Sequence, residues 1–292
     1  MRSIAKSELI INEDGSIYHL NLKPGDIATT IITVGDPDRV QEVSKHFDTI
    51  EFKAHKREFK THTGTFKGKR ITVISTGIGT DNIDIVFNEL DALVNIDFNT
   101  RTIKKQHTAL NFIRIGTSGA IQRNIPIDSF LISETAIGFD SLLHFYDTKN
   151  LLDHSFSDAL KTHCNWNPLN ASPYVVSASK QLLLDFNDTL FVRGCTVTNV
   201  GFYGPQGRVL RLKTKDENLH ARLGSFEYQG VKITNLEMET SGIYGLALLL
   251  GHQAISLNAI LANRATHTFS DTPNKTVARL ITTTLNIIAN SV

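Results

Sequence analysis

Phe112-Ile113-Arg114-Ile115-Gly116-Thr117-Ser118-Gly119 is the stretch from which the rest of the chain can be read. Phe112, Ile113 and Ile115 suit a pleated, buried surface, so the first half reads as a strand. The Gly-Thr-Ser-Gly that follows is expected to end that strand in a tight, hydroxyl-bearing loop. Arg114 interrupts the apolar run, where an unpaired guanidinium would cost on the order of several kcal/mol. It therefore requires either a buried acidic partner, in a structural ion pair, or an anionic ligand. Thr117, Ser118 and the loop N–H groups are donors suited to an oxyanion.

Of 292 residues, 41% are hydrophobic and 20% charged, the make-up of an ordinary globular chain with room for a sizeable α/β core. The formal charge of +1 supplies no electrostatic case for a nucleic acid or a membrane surface as partner. Cys164 and Cys195 are too few for a disulfide framework or a zinc cluster. The apolar run at Gly245–Gly251 is too short to cross a bilayer. Lys6 and Glu8 stand where a leader would be apolar, which argues against secretion and for the cytoplasm. With no repeat, low-complexity tract or Pro/Ser-rich linker, residues 1–292 are expected to form one domain.

Outward from the Arg114 strand, apolar runs alternate with helical spacing. Ile27–Val34 reads as a strand ending at Gly35. A helix should follow, capped by Asp36, with Pro37 in the first position and Val40, Val43 and Phe47 at helical spacing. Phe59–Phe66 and Arg70–Ser75 resemble a hairpin turned at Lys67-Gly68-Lys69, and Ile83, Val86, Leu90 and Leu93 mark the next helix. The polar segment Asn95–His107 reads as a loop or helix extension. Beyond Arg114, strands are expected at Ser129–Ala136, Val175–Ser177, Thr189–Asn199, Val231–Leu236 and Ala254–Ala262, with helices at Ser241–Leu250 and Thr276–Ala289. This alternation predicts an α/β fold with a mixed sheet.

Three further segments carry chemistry. Gly35-Asp36-Pro37-Asp38-Arg39 is either a well-capped helix with a surface arginine or a turn whose glycine lets an anion approach the backbone. Phe202-Tyr203 with Gln206 and Arg208 is either a glycine-rich surface turn or a recognition element for a flat heterocycle bearing carbonyls. Glu237-Met238-Glu239, if extended, puts two carboxylates on one side. They would be solvated or salt-bridged, accept from vicinal sugar hydroxyls, or act as a glycosidase couple. Gly77-x-Gly79 lacks the third glycine of a dinucleotide fingerprint, and no covalent or metal-site motif stands out.

As a set these motifs, together with His55-Lys56-Arg57-Glu58-Phe59 and Asn263-Arg264, resemble the nucleoside phosphorylase family that holds the uridine and purine enzymes. The resemblance runs from about Tyr18 to Arg264 and implies a mixed sheet closed into a distorted barrel flanked by helices. It implies that Gly35, Arg39, Arg114 and Thr117 hold phosphate, with Arg57 reaching in from a neighbouring subunit. Glu237, Met238 and Glu239 would line the ribose, joined by His19 across the interface. Phe202, Gln206 and Arg208 would read the base and Arg264 would support that end, the Gln206 and Arg208 pair being similar to the uracil-reading element. Arg114, Gln206, Arg208 and Glu239 would carry catalysis, with uridine and phosphate as substrates and a dimer, with shared sites, as the minimum homo-oligomer. No cofactor is implied beyond phosphate as co-substrate, although some relatives bring a monovalent cation such as K+ near Glu58 and Ile78. Asn263 stands near the position of the acid that purine enzymes of the family use, which points to a pyrimidine. Three departures from the family pattern are Pro205 before Gln206, Lys56 before Arg57, and Thr80-Asp81-Asn82 near the cation region.

Overall fold

In a computed structural model, which describes residues 3–148, 151–187 and 189–291, strands and helices alternate as the apolar spacing requires. The first half runs β1 (Thr30–Val34), α1 (Pro37–Ser44), β2 (Thr49–Lys56), β3 (Phe59–Phe66), β4 (Lys69–Ser75), α2 (Thr80–Asn95), β5 (Ile96–Asp97), β6 (Thr102–Ile103) and β7 (Asn111–Ala120). The second runs β8 (Phe130–Gly138), α3 (His154–Cys164), β9 (Tyr174–Ser177), α4 (Lys180–Asp185), β10 (Phe191–Thr198), α5 (Leu219–Ser225), β11 (Glu227–Tyr228), β12 (Val231–Glu237), α6 (Thr240–Leu249), β13 (Gln253–Asn263), β14 (Thr268–Phe269) and α7 (Pro273–Asn290). A 3-10 turn, Gly204–Gln206, lies between β10 and α5.

All strands except the small β5–β6 ribbon belong to one mixed sheet, whose main path is β11-β12-β10-β8-β13-β7-β1-β4-β3-β2. An additional antiparallel pairing of β12 with β7, Asn235 opposite Ala120 and Leu236 opposite Gly119, closes β12, β10, β8, β13 and β7 into an irregular ring. This is the distorted barrel that was expected. One face is covered by α2 and α6 through Ile83, Val86, Leu90, Ile243 and Leu246. The other is covered by α1, α4 and α7 through Val40, Val43, Leu182, Leu280 and Leu285. Burial on both faces explains why the ring strands read as continuous apolar runs. Among the described residues, no helix is long and apolar enough to cross a membrane.

The expected loop after Ile115 is absent. β7 continues through Gly116, Thr117, Ser118 and Gly119 to Ala120, paired with β13 over its whole length. The glycine at 116 serves a different purpose from turning the chain. Arg114 and Gly116 share one face of the strand, and a Cβ at Gly116 would stand 1.7 Å from Arg114 Nη1. The glycine clears the space in which the guanidinium lies back along its own strand.

Other differences have simple causes. β1 begins at Thr30 rather than Ile27, because the Ala28 N–H is taken by Thr72 Oγ1 at 2.8 Å. β2 was unforeseen: it lies at the end of the sheet and its residues are partly or fully exposed, so it lacks an apolar signature. α3 was also unforeseen, although Asp153 caps it by accepting from Phe156 N–H at 2.9 Å. The cap expected at α1 is present, with Asp36 accepting from Asp38 N–H at 2.9 Å and Pro37 opening the helix.

If Gly116 is reserved for the Arg114 side chain, Gly116→Ala should cost about 1–3 kcal/mol, the usual range for overpacking. In an Arg114→Ala background the same change should cost far less. A double-mutant cycle by denaturant unfolding reads the coupling, and equal costs in both backgrounds would place the strain elsewhere.

Candidate active site

The carboxyl ends of β1, β4, β7 and β12, with the turn after β10, enclose a cavity of about 780 Å³. Clefts outside the carboxyl ends of strands are where open α/β sheets hold ligands. Of the residues expected from sequence, Gly35, Arg39, Arg114, Thr117, Phe202, Gln206, Arg208, Glu237, Met238 and Glu239 all line it, as do Glu58 and Ile78.

One end is basic. Arg39, in the first turn of α1, is half-buried, and among the described residues its guanidinium has no hydrogen bond and no ion pair. Burial and then the neighbouring Arg114 lower its pKa from the ordinary arginine value. Arg114 is 6% exposed and donates through Nη2 to Glu239 and through Nη1 to Asn258 Oδ1 at 3.3 Å, with Glu237 Oε2 also 3.3 Å from Nη2. Burial acts to lower the Arg114 pKa, but Glu239 and Glu237 outweigh it and hold it above the usual value. The structural ion pair and the cavity-lining cation are thus the same residue.

The carboxylates beside it are fixed from both sides. Glu237, the last residue of β12, accepts from Thr198 Oγ1 at 2.6 Å and from the backbone N–H groups of Glu239 and Thr240, each at 2.9 Å, where α6 begins. A carboxylate at a helix N-terminus is in its favoured place. Glu239 accepts from the Gly79 N–H at 2.9 Å, and Gly79 has φ +96°, which explains the second glycine of Gly77-x-Gly79. Burial raises the Glu239 pKa, against the opposing pull of Arg114.

The other end is built by the turn after β10. Arg208 Nη1 donates to Gln206 Oε1 at 2.6 Å and to the Phe202 carbonyl at 2.7 Å, and its guanidinium lies 3.8 Å from the Phe202 ring centre. Gln206 is 4% exposed, and among the described residues its amide nitrogen has no hydrogen-bond partner. Its carbonyl oxygen keeps a second lone pair, so the turn offers an acceptor beside donors. Arg264 is outside the cavity lining and braces the turn from behind, donating to the carbonyls of Gln206 and Gly207. His220 packs there too, and burial, then Arg264 and Arg208, push it down to about 4, so it is neutral at pH 7.

His19 and Arg57 do not line the cavity of this chain. His19 Nδ1 pairs with Glu89 Oε1 at 2.6 Å, and Arg57 is exposed at the β2–β3 turn with φ +55°. Lys56 is occupied, its Nζ donating to the Tyr18 carbonyl at 2.5 Å. Asn263 is buried and donates to the Gln122 and Ile125 carbonyls, both at 2.8 Å. Sequence reading noted Asn82 only as a departure near the cation region, and missed Phe269 in the lining and Asn258, Thr198 and Gly79 as orienting partners. Only the glycine carried a signal, because the others are common residue types in strands and helices.

Among the described residues Asp91, His107 and His252 form the one cluster with spacing for a metal ion. His252 Nδ1 is taken by the Leu110 N–H at 3.1 Å, and Nε2 lies 3.2 Å from Asp91 Oδ1 without a hydrogen bond.

The model of the phosphorylase superfamily matches residues 29–291. A uridine phosphorylase of Thermococcus kodakarensis is 31% identical over 286 residues, covering 95% of this chain and 88% of that one. A purine nucleoside phosphorylase of the DeoD type from Alkaliphilus metalliredigens is 30% identical over 245 residues, covering 82% and 84%. A solved Trypanosoma brucei nucleoside phosphorylase, described as showing uridine phosphorylase activity, superposes with a TM-score of 0.86 at 29% identity, covering 97% of this chain and 100% of that one. With the ring of strands, the basic end and the amide-bearing turn in the places the motifs require, the chain belongs to the phosphorylase superfamily.

Proposed function

We propose that the protein catalyses reversible phosphorolysis of uridine to uracil and ribose 1-phosphate, a pentosyl transfer. The observation that carries this is the unpaired Arg39 beside Arg114 at one end of a cavity whose other end presents Gln206 and Arg208. Phosphate is the co-substrate, held by Arg39, Arg114, Gly35 and Thr117. Glu237, Met238 and Glu239, beside Arg114 in the same cavity, take the ribose, their carboxylates accepting from its hydroxyls. A phosphate oxygen attacks C1′ as the bond from C1′ to N1 of uracil breaks. The bonding pair leaves with uracil and spreads onto its carbonyl oxygens, where Gln206 and Arg208 donate. Positive charge developing on the ribose faces the incoming phosphate and Glu239. Catalysis is positioning and electrostatics, without a covalent enzyme intermediate.

The K+ expectation attaches to Glu58 and Ile78, which line the cavity. A cytoplasmic location is part of the proposal, supported by two free, buried thiols, and residues 1–292 are read as one domain. A purine nucleoside is the second reading, favoured by the DeoD-type relative. A hydrolase or a silent nucleoside-binding protein would have no use for Arg39 beside Arg114. Uracil release from uridine, with and without phosphate, in K+ and in Na+ buffer, tests the reaction.

Arg114→Ala should lower turnover by roughly 10²-fold or more, and Arg114→Lys should rescue poorly because a point charge cannot replace the fork. Near-normal phosphate-dependent activity in Arg114→Ala would sink the assignment.

We further propose a homo-oligomer, at least a dimer, in which His19 and Arg57 complete the neighbouring site. A His19→Ala, Arg57→Ala variant mixed with a Glu239→Ala, Arg114→Ala variant under conditions of subunit exchange should regain part of the lost activity. Full activity in a species that sediments as a monomer would contradict the shared site.

Uracil presents acceptor, donor and acceptor along one edge, which suits Gln206 and Arg208. Cytosine has an amino donor in place of one carbonyl and would face Arg208 donor to donor. Uridine should therefore outrun cytidine by about 10⁴-fold, with inosine and adenosine poor substrates. Gln206→Ala should depress uridine cleavage while leaving the KM for phosphate nearly unchanged. Purine nucleosides reacting faster than uridine would keep the family and overturn the base.

A further inference from the structure

A second cavity, of about 470 Å³, lies on the far side of the Gly204–Gln206 turn from the site described above. Gly204 and Pro205 line the second cavity, and Gln206, the next residue, lines the first. One 3-10 turn is therefore the partition between them.

The second cavity has the parts of a built site. Phe139 and Trp166 supply an aromatic wall, their ring centres 4.5 Å apart. Pro205 adds a flat apolar surface. Asn199, 2% exposed, lines the same cavity. Its Nδ2 donates to the carbonyls of Val197 and Glu237 at 3.3 and 3.4 Å, which fixes the amide orientation and leaves Oδ1 as the acceptor. That oxygen is buried and has no hydrogen-bond partner. A buried acceptor without a donor costs on the order of 1–3 kcal/mol, so an N–H or O–H brought to it from the cavity, with a small turn of the Asn199 side chain to expose it, would be stabilising. Lys213 and Lys215, both exposed and unpaired among the described residues, stand at the rim, and Asp216, which lines the same cavity, is paired with Arg222.

We propose that this cavity is a second ligand site for a planar ring bearing an N–H donor and an anionic tail, the chemistry of a nucleoside monophosphate. The ring lies against Phe139, Trp166 and Pro205, its N–H donates to Asn199 Oδ1, and the phosphate reaches Lys213 and Lys215. A volume near 470 Å³ is in the range of small-molecule sites. Because the proline ring is part of the partition, a ligand seated against it holds the turn in the form that leaves the Gln206 amide nitrogen free. Occupancy then favours nucleoside binding in the first cavity, and by linkage the nucleoside favours the second ligand. Pro205, a departure from the family pattern, gains a role in this arrangement. The binding claim stands apart from the phosphorolysis reading, since it is read without turnover.

Trp166 is the one tryptophan of the sequence, so intrinsic fluorescence reports this cavity directly. Titration of the protein with UMP should change the Trp166 emission saturably. Inorganic phosphate alone should not, because it reaches the lysines without touching the ring. Lys213→Ala with Lys215→Ala should raise the apparent Kd on the order of tenfold, and Asn199→Ala should raise it as well, circular dichroism confirming that both variants are folded. Gln206→Ala should leave the UMP titration nearly unaltered. No saturable emission change, or one abolished by Gln206→Ala and untouched by the lysine pair, would overturn the second site. UMP should also lower the KM for the nucleoside severalfold at constant kcat, and competitive inhibition alone would overturn the coupling.

Discussion

Arg114 is a cation held at 6% exposure between two carboxylates, and much of the molecule is arranged to make that arrangement tolerable. Breaking a buried pair by removing one partner typically costs about 3–5 kcal/mol, because the other charge is left without compensation. The neighbours act accordingly. Gly116 clears the path of the guanidinium, Asn258 accepts from it, Gly79 and Thr198 orient the two acids, and the first turn of α6 supplies two N–H groups to Glu237. These partners come from five separate parts of the chain, so the site and the fold are specified by the same contacts.

The irregular closure of the sheet follows from the same centre. β7 carries Arg114 and β12 ends in Glu237, and the two strands meet through Asn235 with Ala120 and Leu236 with Gly119. Ser118 Oγ also accepts from Asn235 Nδ2 at 2.9 Å, inside the ring. The β12–β7 pairing adds a direct link between the acid-bearing and arginine-bearing strands, which are otherwise joined only through β10, β8 and β13. The ring positions the charges before any ligand arrives, which is what electrostatic catalysis requires.

The opposite end of the cavity is built differently. It is a short turn rather than a strand, held by hydrogen bonds within itself and braced by Arg264 and the neutral His220. The basic end is held by strands and a helix start, whereas the other end is one short turn held by its own hydrogen bonds and by Arg264.

Local composition and spacing determined the α/β class, the capped start of α1, the β3–β4 hairpin, the α2 face and most of the motifs that converge on the cavity. Those features depend on interactions a few residues apart, which periodicity and capping residues report. Tertiary structure alone decided that Gly116 to Gly119 continue a strand, because the reason for the glycine is a side chain folded back upon it. It also decided that Glu237 and Glu239 share Arg114, that polar β2 is a strand, and that Asn258 and Phe269 belong to the site. Each of those outcomes rests on contacts between segments far apart in the chain or on a side-chain direction, neither of which leaves a local pattern in the sequence.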